Sequence, residues 1–397
     1  MHARVTQPAN PFRYGALALD DAFADREAEV AELSADASNG QDVVIFAPRR
    51  YGKSSLVWTV MRELTKAGVL VAHVDLMKAS TKERLAEQLA AGIYDNIASK
   101  LDRAREKALG RFRGLRVTPT VSIDPDTGEI SFSFTPGRRT EDVNATLERL
   151  LELPAELAAE RGHRAALIID EFQEIVDLDP QLPNLMRSVF QQQPEVAHIY
   201  LGSKRHLMQR IFNDENEPFW RSAKQVELHS IPEEPFARFI SKRFRDTGKQ
   251  LESATVGKIL EFTQGHPYAT QELCYALWQQ TGPGEPAGQE ELNLALAAVL
   301  RSENAHFTLL WDGATARQRV LLEALAREPG RPFSHNYRTR HGLPDSSSIQ
   351  RALEGLMQRE LVARRDDTVR ITEPFLAEWI SNELPGESAS SISPDPD

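Results

Sequence analysis

The residues with the clearest chemistry are Ala47-Pro48-Arg49-Arg50-Tyr51-Gly52-Lys53-Ser54-Ser55. An apolar run, Val43 to Phe46, feeds into them, and a helical pattern runs on from Ser54 to Lys66. Strand, tight loop and helix, with Gly-Lys-Ser at the helix start, is the context a phosphate-binding loop needs. Backbone N–H groups of such a loop and the positive end of the helix dipole converge on one anion. Gly52 lets the backbone approach phosphate closely, Lys53 can reach β and γ oxygens, and the Ser54 hydroxyl can ligate Mg²⁺. Ala47 stands where the usual pattern opens with glycine, but the four-residue spacing to Gly-Lys-Ser is kept.

A second cluster ends the buried run Ala165-Ala166-Leu167-Ile168-Ile169 with Asp170-Glu171. In a parallel sheet the carboxyl ends of strands line the ligand crevice. Asp170 is then placed to hold Mg²⁺, and Glu171 to orient and deprotonate an attacking water. The competing reading is a solvated acidic pair at a strand end. A phosphate loop on an earlier strand weighs against it.

The whole chain narrows the setting. At 397 residues it has room for two or three domains, and 41% hydrophobic with 26% charged residues is a soluble globular balance. No apolar run approaches the ~20 residues of a membrane helix, so no membrane partner is expected. The first ten residues lack a charged-then-apolar export pattern. Cys274 is the only cysteine, which excludes an internal disulfide; it sits on an apolar helical face and reads as core. A cytoplasmic location is the expectation. The net charge of -11 argues against a chain that coats nucleic acid by charge alone. Arg331 to Arg370 runs against that trend, with eight arginines against five carboxylates.

Strand and helix patterns alternate through the first half, which predicts an α/β fold with a parallel sheet in three layers. Further strands are expected at Val69–Asp75, His198–Ser203 and Gln225–Leu228, with helices from about Asp25 to Leu33, Lys82 to Leu109 and Asp142 to Glu160. Residues 115–134 alternate apolar and polar around a Pro/Asp/Gly turn, as a β-hairpin insertion does. The organisation expected is a leader at 1–20, an α/β core carrying the phosphate loop at 21–231, a helical domain at 232–305, a winged helix at 306–384 and a disordered tail at 385–397. The winged helix rests on a helix from Thr315 to Ala326, a weaker one around Asn336 to His341, a third capped by Asp345, and two short strands around Asp366-Asp367.

With these residues in view, the chain resembles the archaeal-type ATPases of the AAA+/STAND group, P-loop NTPases related to origin-recognition ATPases. The resemblance covers about Asn10 to Leu384. It rests on Asn10-Pro11-Phe12 with Phe23 and Arg26-Glu27, on Pro48-Arg49-Arg50-Tyr51-Gly52-Lys53-Ser54-Ser55-Leu56, on Asp170-Glu171 and on Gly202-Ser203. It also rests on Phe219-Trp220-Arg221, on Gly265-His266-Pro267, and on Ile371 to Ile380, where Glu373 stands in place of the usual aspartate. The resemblance implies that the segment with Arg26 lies against adenine, that Ser203 senses the γ-phosphate, that Arg221 is an arginine finger, and that His266 and Pro267 belong to the lid. Read from their residue types alone, alternatives stay open: Ser203 as a satisfied strand-end hydroxyl, Arg205 as a rival for the same phosphate, Arg221 as a surface ion-pair partner, and His266 as a lid-packing histidine.

ATP and ADP with Mg²⁺ are the expected ligands, bound between core and lid, with slow turnover. The leading expectation is a regulatory ATPase switch acting on a protein partner or on its own assembly as a homo-oligomer. The alternative is an ATP-dependent DNA-binding protein. Ser346, Ser347, Ser348, Gln350 and Arg351 open the third winged-helix helix, and Arg338, Arg340, Arg364 and Arg365 could meet phosphates. Asp345, Glu354, Asp366 and Asp367 dilute that basic face.

Overall fold

The structure, a computed structural model, describes residues 9–94, 117–123, 130–136, 143–365 and 367–383. The chain divides into two compact units. One is Arg26–His229, and the other joins the described residues up to Asp25 to those from Ser230 onward.

In the first unit the strands are β1 (Val43–Phe46), β2 (Leu70–Asp75), β3 (Val117–Ile123), β4 (Ile130–Pro136), β5 (Ala165–Asp170), β6 (Val196–Gly202) and β7 (Lys224–Glu227). Five of them form one sheet in the order β2-β5-β6-β1-β7, and every pairing within it is parallel. Every residue of β1 and β6 is buried. Their near-continuous apolar runs reflect a sheet covered on both faces. Alternate residues Val44, Phe46, Ala72, Val74, Leu167 and Ile169 join one core cluster with helices Lys82–Ile93, Val143–Arg161 and Leu182–Phe190. The intervening Val43, Ile45, Val71, Ala166 and Ile168 are buried on the other face. Helices Glu27–Ser38 and Lys53–Lys66 pack on that side of the molecule, against β1, β2 and β6. The three-layer α/β architecture is therefore present.

The strand order decides where a ligand can sit. From β1 the chain crosses β6 and β5 to make β2, and from β6 it crosses β1 to make β7. Adjacent strands β1 and β6 thus send their connections in opposite directions, which opens a crevice at their carboxyl ends. Strands β3 and β4 pair antiparallel from Val117↔Pro136 to Ile123↔Ile130, in a two-stranded sheet of their own. The turn expected at Asp124 to Glu129 lies outside the described residues, as do the far end of the helix expected to reach Leu109, residues 1–8 of the leader, and the tail at 385–397.

The second unit has its own core. Asn10 donates to the Tyr275 carbonyl at 3.0 Å and accepts the Phe12 N–H at 3.1 Å, which turns the Phe12 ring, 1% exposed, onto Phe239 and Phe244. Four helices follow, Glu233–Asp246, Ser253–Thr263, Pro267–Gln280 and Gln289–Asp312. The boundary expected at 305/306 falls within the last of these. Leu292 and Val299 near its start and Phe307 near its end belong to one continuous cluster, and the Trp379 indole donates to Asn304 at 2.8 Å. Helices Ala316–Arg327, His335–His341 and Ser346–Gln358 come next, then strands Val362–Arg365 and Thr368–Ile371 paired antiparallel, then helix Pro374–Glu383. This is a winged-helix arrangement, and Ile349, Leu353 and Leu356 are its inward stripe at helical spacing. Cys274 is fully buried in the same core, where burial pushes its thiol well above the ordinary range. Among the described residues no helix is long and apolar enough to cross a membrane.

The helix starting at Ala316 is held by a reciprocal cap. Thr315 Oγ1 accepts the Gln318 N–H at 3.3 Å, and Gln318 Oε1 accepts the Thr315 N–H at 3.0 Å. Thr315→Ala is expected to cost about 1 kcal/mol. In urea unfolding this lowers the midpoint with the slope unchanged; an unchanged midpoint would show the cap to be energetically idle.

Candidate nucleotide site

The loop between β1 and the helix Lys53–Lys66 turns on Gly52, whose left-handed φ of 81° is open to glycine and strained for other residues. Gly52 offers no side chain to cap the helix, so the first turn and its dipole face the loop. Arg50 is also left-handed, at φ 66°. Arg26 braces this loop from below. Its guanidinium, only 4% exposed, donates to the carbonyls of Tyr51 (3.4 Å) and His229 (2.7 Å) and pairs with Glu29 at 2.8 Å. The loop is thereby tied to the segment that leaves β7. Arg49, Arg50 and Ser54 are exposed, while Lys53 and Ser55 are buried and Pro48, Tyr51 and Gly52 lie between.

Lys53 points to the end of β5. Its Nζ lies 2.9 Å from Glu171 Oε1 and 3.4 Å from Asp170 Oδ1. Glu171 adopts φ 51°, a conformation of real cost for a side chain with Cβ. Three anchors hold it there. The Glu171 N–H donates to Asp170 Oδ1 at 2.9 Å, the Phe172 N–H donates to the Leu201 carbonyl at 2.7 Å, and the Phe172 ring is buried among Tyr200, Phe212 and Phe219. The second carboxylate oxygen, Oε2, accepts from Ser203 Oγ at 2.8 Å, from the Ser203 N–H at 3.3 Å and from Gln173 Nε2 at 2.6 Å. Burial raises the Glu171 pKa, but the charge of Lys53 and hydrogen bonds from Gln173, Lys53 and Ser203 outweigh it and bring the carboxyl down to about 2.

The structure therefore brings Lys53, Asp170, Glu171 and Ser203 together at the ends of β1, β5 and β6. It does not bring in Arg205, which pairs with Glu227 at 2.7 Å. Arg221 is exposed in a left-handed conformation (φ 50°), held by its N–H on the Phe212 carbonyl, with its guanidinium 5.4 Å over the Trp220 ring. His266 and Pro267 belong to the other unit. There His266 Nδ1 accepts the Ala269 N–H at 3.2 Å and caps the helix that Pro267 begins. Two groups escape a reading of sequence alone. Asp75 ends β2 directly beside Asp170 in register, a position marked only by a carboxylate after an apolar run. Gln173 is signalled by nothing except its place two residues after Glu171.

The donors suit Mg²⁺. A serine hydroxyl and a carboxylate are hard oxygen ligands, and this ion is held by one or two protein groups with the rest of its shell from phosphate and water. Among the described residues no cluster of three or more His, Cys, Asp or Glu forms an all-protein cage.

A pH dependence follows from the held carboxylate. Its pKa is depressed on folding, so its contribution to stability is full above the ordinary value of 4.5 and fades as pH falls toward about 2. The stability difference between wild type and Glu171→Gln should shrink over that window in urea unfolding. A difference that stays constant from pH 6 to about 2.5 would mean that Glu171 is not held as described.

Comparison with known proteins follows the same lines. A family model described as an ATPase domain predominantly from Archaea matches residues 23–273. A second, described as a probable winged helix domain, matches residues 305–382. No curated protein matches. Among solved structures, the chain is similar to the Walker-type ATPase of Pyrococcus abyssi, at 17% identity and TM-score 0.64, covering 92% of this chain and 97% of that one. It is also similar to the ORC2 protein of Aeropyrum pernix in its ADPNP–ADP complexes, at 14% identity and TM-score 0.52, covering 90% and 93%. At such identities the likeness speaks for the fold. The first family model spans well over half of the sequence, and the chain belongs to that family, the ATPase domains found predominantly in Archaea.

Proposed function

We propose that this protein is a slowly hydrolysing regulatory ATPase whose nucleotide state switches its conformation. One observation carries the reading: the phosphate-binding lysine and the candidate base neutralise each other, Lys53 Nζ to Glu171 Oε1 at 2.9 Å. A triphosphate in the loop offers Lys53 more negative charge than one carboxylate does. Lys53 then turns to the β and γ oxygens, and Glu171 Oε1 is released to accept a proton from water. The two states differ by a part-buried charge contact, which is the differential interaction a ligand needs to shift a conformational equilibrium.

In this scheme the backbone N–H groups of residues 49–55 and the helix start receive the phosphates. Ser54 and Asp170 would hold Mg²⁺, which neutralises phosphate charge when bound. Ser203 lies against the same carboxylate oxygen as Gln173 and, in this scheme, would read whether a γ-phosphate is present. Arg221, already turned outward, is the candidate finger for a neighbouring subunit. The output is a change in self-assembly or in contact with a protein partner, in a cytoplasmic setting. Catalysis here is positioning and electrostatics more than covalent chemistry.

DNA binding through the winged helix is the less supported alternative. Arg340 is engaged by Glu328, Arg331 by Asp367 and Arg338 by Ser346, and Arg359 donates to the Gly313 and Leu310 carbonyls. These arginines share surface carboxylates and carbonyls with their own fold, which dilutes the positive charge of that face.

Two variants test the central reading. Lys53→Ala should weaken ATP binding about tenfold or more, because it deletes the charge on the β and γ oxygens. Glu171→Gln should bind ATP normally and turn it over about 100-fold more slowly, because it lacks the base. Wild-type turnover in Glu171→Gln would show that the base is another group. Arg221→Ala should bind ATP but lose turnover, and mixing it with Lys53→Ala should recover activity through one intact composite site. Failure to recover in a co-assembled mixture would exclude action between subunits.

A further inference from the structure

Gln173 is among the most buried polar side chains of the first unit, 2% exposed, and the scheme above gives it no task. Its Nε2 donates at 2.6 Å to Glu171 Oε2 and at 3.1 Å to Glu174 Oε1. Glu174 Oε1 is in turn 2.8 Å from Lys204 Nζ. The amide oxygen is buried and has no hydrogen-bond partner among the described residues. Turning the amide over would face that oxygen toward two carboxylates, so two charge-assisted bonds fix its sense and outweigh one unsatisfied acceptor. Helix capping does not explain the residue: it stands at the N-cap of the short helix Glu174–Leu178, but its side chain makes no cap hydrogen bond.

The surroundings are shaped around this amide. A Cβ on Gly202, the last residue of β6, would come within 2.6 Å of Gln173 Oε1 and 2.3 Å of Met208 Cγ. The two oxygens of Glu171 are also divided by partner. Lys53 holds Oε1, whereas Ser203 and Gln173 hold Oε2. When Lys53 leaves for the phosphates, only the Oε2 side is still held.

We propose that Gln173 is the positioning residue that keeps the Glu171 carboxylate in its working orientation after Lys53 has left it, so that Oε1 faces the attacking water. The inference rests on Glu171 being the base. It requires an amide with this reach. Alanine removes the donor, and glutamate sets a third carboxylate against two others.

The test compares turnover with binding. Gln173→Ala and Gln173→Glu should lower kcat about tenfold or more while affinity for a non-hydrolysable ATP analogue stays within about twofold, since a misplaced base slows chemistry without changing phosphate contacts. An unchanged urea midpoint in Gln173→Ala, or retained affinity for the analogue, separates this loss from a variant that fails to fold. In single-turnover assays on a Glu171→Gln background, Gln173→Ala should add no further loss, because a residue acting through Glu171 has nothing left to position. Independent losses in the double variant, or full kcat in Gln173→Ala while Glu171→Gln is inactive, would overturn this inference and leave the base assignment standing. Wild-type turnover in Glu171→Gln would overturn the base assignment and this inference with it.

Discussion

The part-buried contact between Lys53 and Glu171 is the interaction around which the candidate site of the first unit is arranged. Each charge offsets the cost of partly withdrawing the other from water. Joining them takes the ends of three strands and one helix start. Lys53 arrives on the helix after β1, Glu171 at the end of β5, and Ser203 at the end of β6. The left-handed backbone at Glu171 and Gly52 is the local cost of that convergence. It is borne by buried anchors around it: Phe172 in its aromatic cluster and Arg26 on the loop carbonyl of Tyr51.

The strand order sets this contact at the carboxyl ends of β1, β5 and β6. The crevice between β1 and β6 has rigid walls, both strands being wholly buried. The groups that would answer to a phosphate all hang at its rim. A ligand can therefore rearrange side chains there without disturbing the core. The second unit has a separate core in which the helical segment and the winged helix are continuous through helix Gln289–Asp312.

Much of this was legible in the residues. Gly52-Lys53-Ser54 after an apolar run, and Asp170-Glu171 ending another, are local patterns whose chemistry follows from type and spacing, and alternating strand and helix patterns are enough to predict a parallel sheet. Strand order and partner choice are long-range facts and were not legible. The expected role of Glu171 toward water follows from its type and place, but its partners Lys53, Ser203 and Gln173 do not. Arg205 looked like a rival phosphate ligand by position, and Glu227, on a strand twenty-two residues later, engages it instead. Gln173 had no sequence signal, since a glutamine at a helix start is ordinary until the fold sets two carboxylates beside it. Helix Gln289–Asp312 runs across an expected domain boundary because its apolar positions serve the helical segment first and the winged helix later, a division that periodicity does not mark.

The most direct test is a crystal structure of the protein with Mg²⁺ and a non-hydrolysable ATP analogue, read at Lys53 and Glu171. The account predicts that Lys53 Nζ leaves its 2.9 Å contact with Glu171 Oε1 for the phosphate oxygens, while Oε2 keeps its bonds to Ser203 and Gln173. A nucleotide bound with the Lys53–Glu171 pair still closed would contradict it.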